Sequence, residues 1–109
     1  MSVFSSASLR SSVVSRLRAA GCVFAEDEAR ILLSAAASPA DLAAMVRLRA
    51  DGRPLEHVVG WAEFAGLRIA VDPGVFVPRR RSEFLAAAAT ALTAPGAVVL
   101  DLCCGSGAL

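Results

Sequence analysis

Ala97-Val98-Val99-Leu100-Asp101-Leu102-Cys103-Cys104-Gly105-Ser106-Gly107-Ala108-Leu109 is the stretch whose reading decides the fold. Its first four residues read as a short apolar strand of the kind buried on both faces in a parallel sheet. Asp101 follows, and then a tight loop of small residues. Glycine at 105 and 107 lets backbone N–H groups approach a ligand, because no large side chain stands in the way. A nucleotide-type cofactor site in a doubly wound α/β domain begins in this manner at a strand exit. A plain Gly-rich turn between strand and helix produces the same string, so the neighbouring segments must decide.

Working back from that loop, Thr93-Ala94-Pro95-Gly96 is a break, and the segment from Ser82 to about Leu92 reads as a helix. Ser82 or a near neighbour is its expected cap, and Glu83 lies in its first turn, where the helix dipole favours an acid. Val75-Phe76-Val77-Pro78 is extended, since the residue before proline avoids the α region. Asp72-Pro73-Gly74 is a turn. Trp61–Phe64 and Leu67–Val71 read as two strands joined by Ala65-Gly66, a two-residue hairpin turn. Trp61 and Phe64 are expected to anchor that hairpin as core.

Before Trp61 the period is helical. Ser11–Ala20 is an amphipathic helix with Leu9, Val13 and Leu17 on one face, stopped by Gly21. Glu26-Asp27-Glu28 opens a second helix whose apolar face is Ala29, Leu32, Leu33 and Ala36. Ser38-Pro39-Ala40-Asp41 starts a third: Ser38 caps, Pro39 takes the first position, and Asp41 sits where a capping box wants an acid. Leu42, Met45 and Val46 face inward, and Gly52 ends it. Pro54 opens a short turn, Leu55–Val59, closed by Gly60.

The totals set bounds. A chain of 109 residues holds one small domain, or one domain and a piece of another. Net charge is +1, which gives no global field for nucleic acid or a membrane surface. All eleven basic residues are Arg, which with the alanine content reads as coding bias. Three cysteines, two of them adjacent, make no disulfide framework and suit a reducing, cytoplasmic setting. Cys22, His57, Cys103 and Cys104 lack zinc spacing, so no metal is expected; His57 reads as structural. The acid-free first 25 residues have a transit-peptide look, but a first helix explains them better. The uncharged run from Phe84 to Leu100 is broken by Pro95-Gly96 and reads as no membrane span. Arg79-Arg80-Arg81 reads first as a solvated loop.

A second set of motifs narrows the reading. Gly52-Arg53-Pro54-Leu55 is followed by Gly60-Trp61-Ala62-Glu63-Phe64-Ala65-Gly66-Leu67, then by Val71-Asp72-Pro73-Gly74-Val75-Phe76-Val77-Pro78-Arg79 and Ser82-Glu83. In this order, and with Asp101–Gly107 beyond, the chain resembles the N-terminal portion of the PrmC/HemK family of protein-(glutamine-N5) methyltransferases. The resemblance implies a helical N-terminal substrate-recognition domain over 1–60, a β-hairpin linker over 61–78, and over 79–109 the first helix and strand of a Rossmann-like class I methyltransferase domain. It also implies S-adenosylmethionine as cofactor, and as substrate the Gly-Gly-Gln loop of a peptide-chain release factor. Neither a membrane nor direct nucleic-acid binding is expected.

Carried over residue by residue, the resemblance makes Asp101, Cys103, Cys104, Gly105, Ser106 and Gly107 the cofactor-binding residues, with Arg79, Ser82 and Glu83 in support. The family usually has Gly where Cys103 stands, often Thr at Cys104, Thr at Ser82 and Pro at Arg80. An amide nitrogen is a poor nucleophile, so such an enzyme works by positioning and desolvation. The family's Asn-Pro-Pro-Tyr motif for that task does not occur in these 109 residues, so no catalytic residue is assigned and the chain alone is expected to be inactive. A strand at 97–100 without sheet partners is expected to pack poorly. The alternatives are a non-catalytic helical module that binds a release factor or ribosomal partner, and a related methyltransferase acting on another protein or on nucleic acid.

Overall fold

The computed structural model describes residues 7–109. The chain divides into two compact units, Met1–Val59 and Gly60–Leu109.

The first unit is helical: α1 (Ala7–Ala19), α2 (Ala25–Ala35), α3 (Pro39–Ala50) and the short α4 (Leu55–Val59). The first helix starts four residues before the expected Ser11, because the Leu9–Val13–Leu17 stripe continues one turn towards the N-terminus. Val13 and Leu17 are buried, and Leu9 packs against the same core. The first six residues of the transit-peptide reading lie outside the described ones.

Two helix ends share one device. The Cys22 N–H donates to the Leu17 carbonyl at 3.0 Å and the Gly21 N–H to Arg18 at 3.0 Å; at the end of α3, Arg53 donates to Leu48 at 3.2 Å and Gly52 to Arg49 at 3.1 Å. Each is a Schellman motif, which needs a left-handed residue at its turn. Gly21 (φ +97°) and Gly52 (φ +100°) supply it.

At the start of α3 the Asp41 N–H donates to Ser38 Oγ at 3.0 Å. The Asp41 carboxylate in turn accepts from the Ala37 N–H at 2.9 Å. The reciprocal bond thus reaches one residue further back than in the standard capping box.

The core joins Leu17, Ala25, Ala29 and Leu32 to Leu42, Met45 and Val46 of α3. Each fully buried leucine contributes about 1.5–3 kcal/mol. The alanines on α2 let α1 approach closely. Glu28 is buried on that same face, a feature the apolar pattern did not signal. Arg49 of α3 explains it. Its Nε donates to Glu28 Oε1 at 2.5 Å and its Nη2 to Oε2 at 3.2 Å, a two-pronged pairing that satisfies a carboxylate removed from water. The third guanidinium nitrogen donates to the Arg53 carbonyl at 3.0 Å. The hydrogen bond to Glu28 holds the Arg49 guanidinium above its ordinary, already very high, pKa.

The second unit opens with an antiparallel hairpin, β1 (Trp61–Phe64) and β2 (Leu67–Ala70), pairing Trp61 with Ala70 and Phe64 with Leu67. The Val71 N–H, bonded to the Gly60 carbonyl at 2.9 Å, carries the pairing one residue further. Ala65 (φ +51°) and Gly66 (φ +77°) make the turn, both positive as a type I′ hairpin requires. Side chains alternate across a strand, so Trp61 and Phe64, three apart, project from opposite faces. Phe64 is buried. Trp61 is half-buried, with the Arg68 guanidinium 3.8 Å above its ring. The expectation that both are core therefore holds for Phe64 only.

A turn at Asp72–Val75 leads through Phe76–Pro78 to Arg79, then a single 3₁₀ turn, Arg80–Ser82, and α5 (Glu83–Leu92). Ser82 is not a side-chain cap: its φ of −71° and ψ of −11° place it inside the turn, and the extended residue is Arg79 (φ −88°, ψ 138°). The 3₁₀ turn ahead of the helix takes over the role expected of a hydroxyl.

Residues 97–100 form no strand. A strand exists through its ladder, and no neighbour pairs with this segment among the described residues. Val98 and Leu100 are 90% and 83% exposed, and Phe84 and Leu92 of α5 are exposed as well. The described chain is thus helix-rich with one two-stranded antiparallel sheet. Among the described residues no helix is long and apolar enough to cross a membrane.

Candidate functional site

The second unit contains a cavity of about 200 Å³. Three segments build it. The end of β1 supplies Phe64. The segment between the Asp72–Val75 turn and α5 supplies Phe76, Pro78, Arg79 and Ser82. The C-terminal loop supplies Cys103, Cys104, Gly105 and Ser106, with Ala108 and Leu109 beyond.

The loop's backbone alternates its handedness. Cys103 (φ +55°), Gly105 (φ +57°) and Gly107 (φ +79°) are all left-handed. The Gly107 N–H donates to the Cys104 carbonyl at 2.9 Å, closing a tight turn. Gly105 and Gly107 accept this conformation readily, whereas a residue with a Cβ is strained there by about 1–2 kcal/mol. Cys103 therefore occupies a position suited to glycine.

Arg79 is the ionised side chain in the cavity lining. Its guanidinium carbon lies 5.7 Å from the centre of the Phe76 ring, at the outer edge of cation–π range. Pro78 before it and the 3₁₀ turn after it fix its backbone. Arg80 faces elsewhere, with its Nε 3.7 Å from Glu83 Oε2. The lining therefore pairs a fixed positive charge and small polar groups with an apolar wall, which suits an anionic head on a partly apolar ligand.

Six of the residues singled out in the sequence line this one cavity: Arg79, Ser82, Cys103, Cys104, Gly105 and Ser106. The other three do not. Gly107 closes the turn. Asp101 is exposed. Glu83 acts on the hairpin, its Oε2 accepting from the Ala65 N–H at 2.9 Å. Sequence reasoning missed Phe64, Phe76 and Pro78 as lining; Pro78 beside Arg79 was the available signal. All three cysteines are free, Cys22 buried and the adjacent pair exposed. Among the described residues no three His, Cys, Asp or Glu side chains gather to hold a metal ion.

No protein-family model matches the chain. Individual proteins do. The chain is 44% identical over 87 residues to a release factor glutamine methyltransferase of Mycolicibacterium smegmatis, a match covering 76% of this chain and 31% of that protein. Against the enzyme of the same name from Corynebacterium glutamicum it is 45% identical over 74 residues, 65% of this chain and 26% of that one. The Bifidobacterium longum enzyme matches at 35% over 120 residues, covering 87% and 41%. The chain thus spans between 26% and 41% of the length of these relatives.

Proposed function

Because the chain belongs, over the part it matches, to the release factor glutamine methyltransferase family, we propose that it forms the helical substrate-recognition unit and the opening of the cofactor site of a cytoplasmic S-adenosylmethionine-dependent protein methyltransferase. The substrate is the side-chain amide of a glutamine in a peptide-chain release factor. Residues 79–109 are the start of a Rossmann-like domain in this reading.

One observation carries it: the Cys103–Ser106 loop and the Arg79–Ser82 segment, both drawn from motifs of the family, line one cavity. The fit is to one end of the cofactor. A volume of about 200 Å³ is below the roughly 300–1,000 Å³ of a complete small-molecule site, and accommodates an amino-acid end. Arg79 supplies the charge for its carboxylate. Ser82 and Ser106 supply hydroxyls, and the loop's small residues admit the ligand to the backbone. Phe64, Phe76 and Pro78 form an apolar wall of the same cavity. The cofactor, when bound, supplies an electrophilic methyl group; these residues hold and orient it.

Titration of the isotopically labelled chain with S-adenosylmethionine, followed by amide NMR, tests the site. Shifts confined to the lining segments, around Phe64, Phe76–Ser82 and Cys103–Leu109, are expected; shifts confined to other residues, or none, defeat it. For the reaction, this chain replaces the matching residues of the Mycolicibacterium smegmatis enzyme and the chimera receives labelled cofactor and a release factor. Label is expected on the glutamine, and an inert chimera that binds cofactor normally refutes the substrate assignment.

A further inference from the structure

The adjacent thiols of Cys103 and Cys104 are exposed and line the same cavity as Arg79. The third thiol, Cys22, lies in the helical core at 8% exposure. Cys104 Sγ makes one weak contact, 3.9 Å from the Gly105 carbonyl, and neither loop thiol is in a disulfide. No Asp or Glu side chain lines the cavity, and the one charged side chain in its lining is Arg79. A reagent drawn to these sulfurs therefore meets a positive charge beside an apolar wall.

We propose that the Cys103–Cys104 pair is a covalent modification site for small disulfides that carry carboxylates. The thiolate of one cysteine attacks a sulfur of the incoming disulfide. A protein–reagent S–S bond forms as the reagent's own S–S bond breaks. The departing half leaves as a thiolate and takes up the proton that the cysteine gave up. The disulfide itself is the oxidant, so nothing further is consumed. Arg79 holds the reagent's carboxylate during the attack and sets the charge preference. The adduct occupies the cavity. This assignment goes beyond the cofactor reading and stands without it.

The test uses the full chain with two probes, glutathione disulfide, which is anionic, and cystamine, which is cationic. Adducts are mapped by peptide mass spectrometry, and rates are followed in the native chain and in Arg79→Gln. The expected result is modification at Cys103 or Cys104, with Cys22 unmodified until urea is added. The anionic-to-cationic rate ratio should fall several-fold in Arg79→Gln. It should fall in the native chain too as salt is raised, because the guanidinium's field is screened; this second measurement does not depend on the variant's folding. A ratio unchanged by both the substitution and salt, or modification of Cys22 as fast as of the loop thiols, overturns the proposal.

Discussion

The carboxylate of Glu83 accepts a hydrogen bond from the backbone N–H of Ala65, eighteen residues earlier, at 2.9 Å. Ala65 sits at φ +51° in the hairpin turn, so an acid at the first position of α5 anchors the tip of the β1–β2 hairpin. The same carboxylate lies 3.7 Å from Arg80 Nε. Removing it by Glu83→Ala should cost the hairpin about 1 kcal/mol, in the range of a partly exposed charge-assisted hydrogen bond. Amide hydrogen exchange at Ala65 should accelerate several-fold while exchange at Leu32 and Val46 stays unchanged. Unaltered exchange at Ala65 would show that the turn holds itself.

The Arg49–Glu28 pair makes a larger claim on stability. Both side chains are mostly buried, at 22% and 12% exposure, and breaking such a pair strands a charge. Arg49→Ala should lower the stability of the helical unit by about 2–4 kcal/mol, read as a fall in the urea midpoint. Lysine should restore less than half of the loss, because it lacks the planar fork that meets both carboxylate oxygens. Full rescue by lysine would mean that charge alone suffices.

Cys103 and Ala65 are left-handed without being glycine. Replacing either by glycine should be favourable despite the added freedom of the unfolded chain, by about 0.5–1 kcal/mol. Urea unfolding of Ala65→Gly, monitored by Trp61 fluorescence, checks the first. For Cys103→Gly the measure is narrowing of the loop amide resonances. A lower midpoint or broader lines would place both residues outside the strained region.

Acid sensitivity should appear at Glu26. Its hydrogen bond from Arg18 holds the carboxyl below the ordinary carboxylate range. A depressed folded-state value means the contribution is complete above the unfolded-state pKa and disappears as pH falls through the lower, folded one. The side chain is exposed, so the effect is small and salt-sensitive. Stability curves of the native chain and of Glu26→Gln should differ at neutral pH and converge in acid. A constant gap across that window would remove the ion pair as its cause.

The helical unit was legible because its signals are local. Ser38-Pro39-Ala40-Asp41 carries its own cap, and Gly21 and Gly52 mark two stops that backbone hydrogen bonds then complete. Glu28 was not legible, because its partner lies 21 residues away and an acid in a first turn already has a sufficient local reason. The cap expected at or near Ser82 is not a side-chain one, because the extended residue falls three positions earlier, at Arg79. The run at 97–100 has strand composition, but strand formation belongs to a pair of segments and composition describes only one. Of the cavity lining, the small-residue loop could be seen in advance. Of the apolar wall only Pro78, beside Arg79, carried a signal, since Phe64 reads as hairpin core and nothing local marks Phe76.

The three-way grip of Arg49 has an effect on the order in which the helical unit comes apart. One guanidinium clamps α2 to α3 and also tethers the carbonyl at Arg53, where the chain departs towards α4. Losing Glu28 therefore slackens two joints together, and the short α4 helix, five residues long, is then left to the packing of Leu55, Val58 and Val59 on the helical core.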